Sequence, residues 1–212
     1  MTMTNNRKIP LWLGLLVVAG AILTGLATAA ETRAPPANPP AGQLLVAAST
    51  IQDPRFYHSV ILLVRHDAKG ALGIMINRPL GAQPFAELLP DGKDRDKKVA
   101  IHGTIEVYFG GPVEPQLGFV IHSADYRSAA TMAVAPGIAM TATREVLRAI
   151  ARHQGPTKYR FAIGYSGWGA GQLEGEIARR DWFTEPATPD LVFDPDAAAL
   201  WRKAMARRTR EL

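Results

Sequence analysis

The chain has 212 residues, 47% of them hydrophobic and 20% charged, which excludes a wholly disordered or fibrous protein and leaves enough chain for one domain with a sizeable core. The formal charge of +5 raises the question of an anionic partner, yet Arg7 and Lys8 stand at the amino end and Arg202, Lys203, Arg207, Arg208 and Arg210 in the tail, so the body between them is nearly neutral. With no cysteine, the sequence excludes disulfides, thiolate nucleophiles, Cys-ligated zinc, iron–sulfur clusters and a lipid anchor on cysteine.

The first 30 residues read as an export or membrane-insertion leader. Arg7 and Lys8 precede an uncharged run from Leu11 to Ala30, and Ala27-Thr28-Ala29 supplies the small-residue pattern of a cleavage site. The run is also just long enough to cross a bilayer, for which about 20 apolar residues are needed. Two expectations stay open: a signal peptide cleaved near Ala29, or an uncleaved anchor in the inner membrane through residues 11–30. Both put the folded part on the exported, periplasmic side, because the positive flank comes first. Residues 31–41, with Pro35, Pro36, Pro39 and Pro40, read as an extended linker, and residues 42–212 as the folded domain.

Leu44 to Ala47 reads as a strand, and Val60 to Arg65 and Ala71 to Asn77 as a hairpin around Asp67-Ala68-Lys69-Gly70. Their nearly continuous apolar residues predict burial on both faces. Pro79 should end the second strand. Phe85 to Leu89 predicts a short helix, and residues 91–98 a solvated charged loop. Further strands are expected at Val107–Phe109, Gly118–His122, Thr131–Val134 and Tyr159–Ile163. Helices are expected from Thr143, as N-cap, to a stop at Gly155-Pro156, over Gln172–Arg179, and over Asp196–Arg207. Gly164 to Gly171 reads as a glycine-rich turn that packs Trp168 on the core. This order predicts an α+β domain with a mixed sheet.

No complete catalytic motif emerges. A nucleophile elbow at Ser166 would need glycine where Trp168 stands, and no dinucleotide or P-loop glycine pattern is satisfied. The histidines lack zinc spacing. Ser123, His122 and Asp125 form a triad only on paper, since neighbours on a strand face opposite ways. Asp53-Pro54-Arg55-Phe56 reads as a turn closed by the aspartate, and Gly110-Gly111 as a reversal or as a backbone edge open to a ligand. The basic tail suits a solvated helix end or an anionic contact, and no sequence-specific nucleic-acid motif is present.

Taken together, Leu44 to Ala47, Asp53-Pro54-Arg55-Phe56, Ser59-Val60, Gly73-Ile74-Met75-Ile76-Asn77-Arg78-Pro79, Phe109 to Val113, Gly164-Tyr165, Gly167-Trp168, Gly171 to Glu174 and Trp182 resemble the YqgE/AlgH family in order and spacing. The resemblance covers about residues 42 to 201. It implies one compact α+β domain with a mixed, partly barrel-like sheet flanked by helices, and no catalytic residue to carry over. The family is named partly for a proposed role in regulating alginate production, so it also implies a cytoplasmic transcriptional regulator. The leader argues against that role, because an exported domain cannot act directly on transcription.

The expectation is therefore a non-enzymatic binding or interaction domain at the cell envelope, without catalytic residues, cofactor or metal, engaging a protein or small ligand. Its candidate surface is Asp53, Arg55, Asn77, Arg78, Gly110, Gly111, Trp168 and Glu174. The alternatives are the cytoplasmic regulator, and a hydrolase or transferase using Asp53, His58 and Glu114.

Overall fold

The computed structural model describes residues 39–89 and 102–210. The leader, most of the linker and the charged loop at 91–98 lie outside the described residues.

Strand β1 (Gln43–Ala47) pairs antiparallel with β2 (Val60–Asp67), and β2 with β3 (Gly70–Met75). The hairpin between β2 and β3 closes where the Asp67 Oδ1 accepts from the Lys69 amide at 2.7 Å. Side chains alternate across a strand, so the apolar run divides. Leu44, Val46, Val60, Leu62, Val64 and Ile74 enter one core cluster, and Leu45, Ala47, Ile61, Leu63 and Met75 enter another on the opposite face. Each fully buried leucine or isoleucine stabilises the fold by about 1.5–3 kcal/mol.

The remaining elements are β4 (Pro79–Pro84), α1 (Phe85–Leu88), β5 (Thr104–Phe109), β6 (Val113–Ser123), β7 (Thr131–Ala135), β8 (Ile138–Thr141), α2 (Arg144–Ala151), β9 (Tyr159–Gly169), α3 (Gln172–Ala178), β10 (Trp182–Pro186), α4 (Pro189–Val192), and a 3-10 turn (Ala197–Ala199) leading into α5 (Leu200–Arg210). Among the described residues, ten strands make one sheet in the order β10-β1-β2-β3-β9-β6-β8-β7, with β4 and β5 attached beside β9. Strand β9 joins the halves. One edge pairs with β6, and the other with β3 over 166–169 and with β5, in parallel, over 161–163.

The sheet curls until β7 returns to the start of β1, where a Cβ added to Gly42 would lie 2.7 Å from the Val134 carbonyl oxygen. The result is a half-barrel in an α+β domain. Its interior is filled by the first cluster together with Leu191, Val192, Leu200 and Ala204 from α4 and α5. A third cluster packs α1 and α2 through Phe85, Val146 and Ile150 against Val107, Val120 and Phe161. Arg160 fastens α4 to β9, its Nε donating to Val192 O at 2.6 Å and its Nη2 to Asp194 O.

Several expectations need correction. Pro79 does not merely end a strand but begins β4, an exposed strand with β5 as its partner, where a proline at the first position breaks no ladder bond. The glycine-rich stretch is not a turn through 164–169 but the second half of β9. Gly164, Ser166 and Trp168 are buried there in alternation with more exposed neighbours, a period of two that the glycines hide. Helix α2 ends at Ala151, before Gly155-Pro156, and Thr143 occupies its N-cap without a side-chain capping bond. Strands β8 and β10 and helix α4 were not anticipated.

Candidate functional site

The loop between β1 and β2 is built around Asp53. Its Oδ1 accepts from the Arg55 amide at 2.9 Å, its carboxylate holds the Arg55 guanidinium at 2.7 Å, and its carbonyl accepts from the amides of Phe56 and Tyr57 at 2.9 Å each. The Arg55 side chain is the main reason that the Asp53 carboxyl is held below the usual carboxylate range. Beneath the loop, Arg78 donates to the carbonyls of Pro54, Arg55 and Tyr57 at 2.8–3.1 Å. Asn77 donates to His58 O at 2.9 Å and accepts from the Val60 amide at 2.8 Å. Asn77 and Arg78 therefore shape the loop from below, and Asp53 and Arg55 face outward.

That loop forms one wall of a cleft of about 400 Å³ on the outer face of the sheet, and α3 with the start of β10 forms the other. Phe56, Trp168 and Trp182 make its floor. Trp182 meets Phe56 and Trp168 edge to face, with centroids 5.9 and 6.0 Å apart. Both tryptophans are buried, so their indole N–H groups need an acceptor. Glu176 supplies it: its Oε2 accepts from Trp168 Nε1 at 2.8 Å and from Trp182 Nε1 at 2.7 Å, while its Oε1 accepts from Gln172 Nε2 at 2.9 Å. Gln172 in turn accepts from the Gly169 amide at 3.0 Å. One more pair, Arg179 with Asp181 at 2.9 Å, stands on the far rim. Among the described residues that line the cleft, the polar side chains are three carboxylates, two guanidinium groups and one amide, set beside aromatic surface.

The cleft thus brings together Asp53, Arg55 and Trp168 of the expected surface. Gly110 and Gly111 are not an open edge. The Gly110 amide donates to Ile163 O and its carbonyl accepts from the Met75 amide, both at 2.8 Å, and a Cβ on either glycine would fall within 2.2 Å of the 164–165 backbone. Close approach of two backbone segments of the same chain explains this pair. Glu174 faces away from the cleft, toward His66. The buried His66 ring lies between Pro39 O at 2.8 Å from Nδ1 and Glu174 Oε1 at 3.0 Å from Nε2.

The alternative catalytic set does not assemble in the cleft. Neither His58 nor Glu114 lines it, and the His58 ring is stacked between Tyr57 and Trp201 with centroids 3.8 and 3.7 Å away. The paper triad also separates. His122 is fully buried, with Nε2 on Thr141 Oγ1 at 2.9 Å, and burial lowers its pKa; Ser123 Oγ instead donates to Asp125 at 2.6 Å. In the tail, Lys203 is engaged by Asp194 at 2.7 Å and Arg207 by Thr188 Oγ1 at 3.3 Å.

Sequence reasoning missed Glu176, Arg179 and Asp181 as parts of the site. A usable signal was present: Gln172 and Glu176 are spaced i, i+4 on a helix whose Leu173 and Ile177 face the core, which sets the two polar side chains together on the adjoining face.

Fold and cleft together define a single-domain α+β half-barrel with a preformed polar and aromatic site on its outer face. The chain belongs to the AlgH-like family, whose model matches residues 44–212. It is similar to a UPF0301 protein of Cereibacter sphaeroides, 44% identical over 169 residues that cover 76% of this chain and 86% of the relative. A UPF0301 protein of Methylococcus capsulatus is 43% identical over 164 residues, covering 77% and 88%. Among solved structures, the solution structure of the AlgH protein from Pseudomonas aeruginosa matches with a TM-score of 0.66 at 38% identity, over 79% of this chain and 87% of that one. A crystal structure of a protein from Corynebacterium diphtheriae matches with a TM-score of 0.61 at 25% identity, over 80% and 88%.

Proposed function

We propose that this chain is a non-enzymatic binding domain working at the cell envelope, and that the cleft between the 51–56 loop and α3 is its contact surface. The observation that carries the binding half is Glu176. A carboxylate fixed by two indoles and an amide, between two rims that each hold an ion pair, is a recognition surface formed before its partner arrives. The envelope half rests on the sequence, on the uncharged run from Leu11 to Ala30 behind Arg7 and Lys8.

The test joins fractionation with a photo-crosslinking residue placed at Arg55 in the cleft or at Met132, which is exposed on β7. The expected result is membrane or periplasmic recovery, an amino terminus at Ala30, Met1 or Thr2 by mass spectrometry, and a discrete adduct from position 55 alone. Recovery in the cytoplasm with a start near Gly42 would overturn the envelope half and favour the regulator reading. Equal adducts from both positions would overturn the assignment of the cleft.

A further inference from the structure

Charge within the cleft is not balanced. Asp53 is matched by Arg55 at 2.7 Å, and Asp181 by Arg179 at 2.9 Å. The third carboxylate, Glu176, has neutral donors: two indole N–H groups and one amide. Neutral donors stabilise an anion without cancelling its charge, and a carboxylate partly withdrawn from water gains most from a cationic partner. Each carboxylate oxygen can accept about two hydrogen bonds. Oε2 is filled by the two indoles, while Oε1 carries the Gln172 bond and keeps one acceptor position open. The surrounding aromatic surface already carries one cation, since the Arg55 guanidinium lies 5.7 Å from the centre of the Phe56 ring.

We infer that the partner of this cleft is a polypeptide that inserts a basic side chain, with its cationic group donating to Glu176 Oε1 over the aromatic floor. This inference rests on the reading of the cleft as a binding surface and adds the chemistry of what enters it. The charges in the walls suit it. The paired Asp53–Arg55 and Arg179–Asp181 rims give neighbouring polar groups of the partner both donors and acceptors without adding net charge.

The indole N–H groups of Trp168 and Trp182 report on Glu176 directly, because both donate to it. The experiment uses the full chain in detergent micelles, with ¹⁵N-labelled tryptophan, titrated with capped alanine peptides whose central residue is arginine, citrulline or glutamate. The arginine peptide is expected to shift the Trp168 and Trp182 indole signals and to leave Trp201, which donates to Ala47 O, unmoved. Neutral citrulline and anionic glutamate peptides should bind at least tenfold more weakly, and added salt should weaken the arginine peptide. Glu176→Gln, which keeps one acceptor oxygen for the two indoles but places a neutral NH2 donor where Oε1 stood, should abolish the preference for arginine. Comparable shifts from all three peptides would overturn the cation inference while leaving the binding surface standing. No shift from any peptide would overturn both. The three-peptide comparison needs no variant, so it decides the matter even where Glu176→Gln fails to fold.

Discussion

The two faces of the β1–β2–β3 region are stabilised in different ways. Inside the curl, Leu44, Leu62 and Ile74 meet Leu191 and Leu200, and the contacts ask only for apolar volume. On the outer face, Trp168 and Trp182 pack beside Leu45, Leu63 and Leu173, but each buried indole also requires one particular oxygen of Glu176. Apolar burial is non-directional and tolerates exchange of one hydrocarbon shape for another, whereas a shared hydrogen-bond acceptor fixes ring positions to within tenths of an ångström. The interior holds the larger apolar cluster, and the outer face adds directional bonds that fix the geometry of the cleft.

The most direct way to break that comparison is to damage the interior. Leu62, fully buried at the centre of the curl, should cost about 2–5 kcal/mol as Leu62→Ala, read from the urea midpoint, because transfer and cavity terms add. A cost no greater than that of outer-face variants would remove the distinction. Next in size is Arg160→Met, which keeps the packed stem and deletes the bonds to Val192 O and Asp194 O. Charged hydrogen bonds of this kind are worth roughly 1.5–3 kcal/mol, and the loss should appear in denaturation and as faster amide exchange in α4.

How much of this was legible in the sequence follows the same division. The interior strands were readable because Leu44–Ala47 and Val60–Val64 are apolar on both faces, and no other environment accommodates such a run. The α5 stripe of Leu200, Trp201 and Met205 was readable from helical spacing and does pack on the first cluster. Glycine obscured β9, since Gly164, Gly167 and Gly169 signal a turn when taken alone. The cleft was half legible: Asp53, Arg55 and Trp168 stand in unusual local strings, but its floor is fixed by Glu176, an unremarkable helix glutamate until the indoles of Trp168 on β9 and Trp182 on β10 converge on it. Convergence of that kind is a property of the fold, and local spacing does not encode it. Glu174, two residues earlier on the same helix and part of the expected surface, instead faces His66.

That Glu174–His66 contact sharpens the comparison, because it separates hydrogen-bond geometry from charge. The ring meets the Pro39 carbonyl on one nitrogen and the Glu174 carboxyl on the other. Glu174→Ala should leave Nε2 of a buried ring without a partner and cost about 1–2 kcal/mol. Glu174→Gln should cost less than about 0.5 kcal/mol, since its amide can donate to Nε2 while Nδ1–H still donates to Pro39 O. A ¹⁵N spectrum of the His66 ring would follow both variants. Equal losses would mean that the negative charge, not the geometry, holds the contact.

The smallest effect is expected where polar bonds lie at the surface. Asp125 accepts from Ser123 Oγ at 2.6 Å, from the Thr157 amide at 3.0 Å and from Thr157 Oγ1, and these bonds, Ser123's foremost, lower its pKa from 3.8 to about 2. A carboxyl whose folded pKa lies below its unfolded one stabilises the fold above the unfolded value, and the contribution is lost as pH falls from near 3.8 through about 2. Because the group is largely open to solvent, screening limits its worth, and Asp125→Asn should cost about 0.5–1 kcal/mol at neutral pH. The gap between wild-type and variant urea midpoints should shrink steadily as the measurement moves from pH 5 toward pH 2. A gap that stays constant over that interval would mean that Asp125 acts through its shape in the Ser123–Thr157 turn rather than through its charge. Surface and interior polar bonds would then differ in exposure alone.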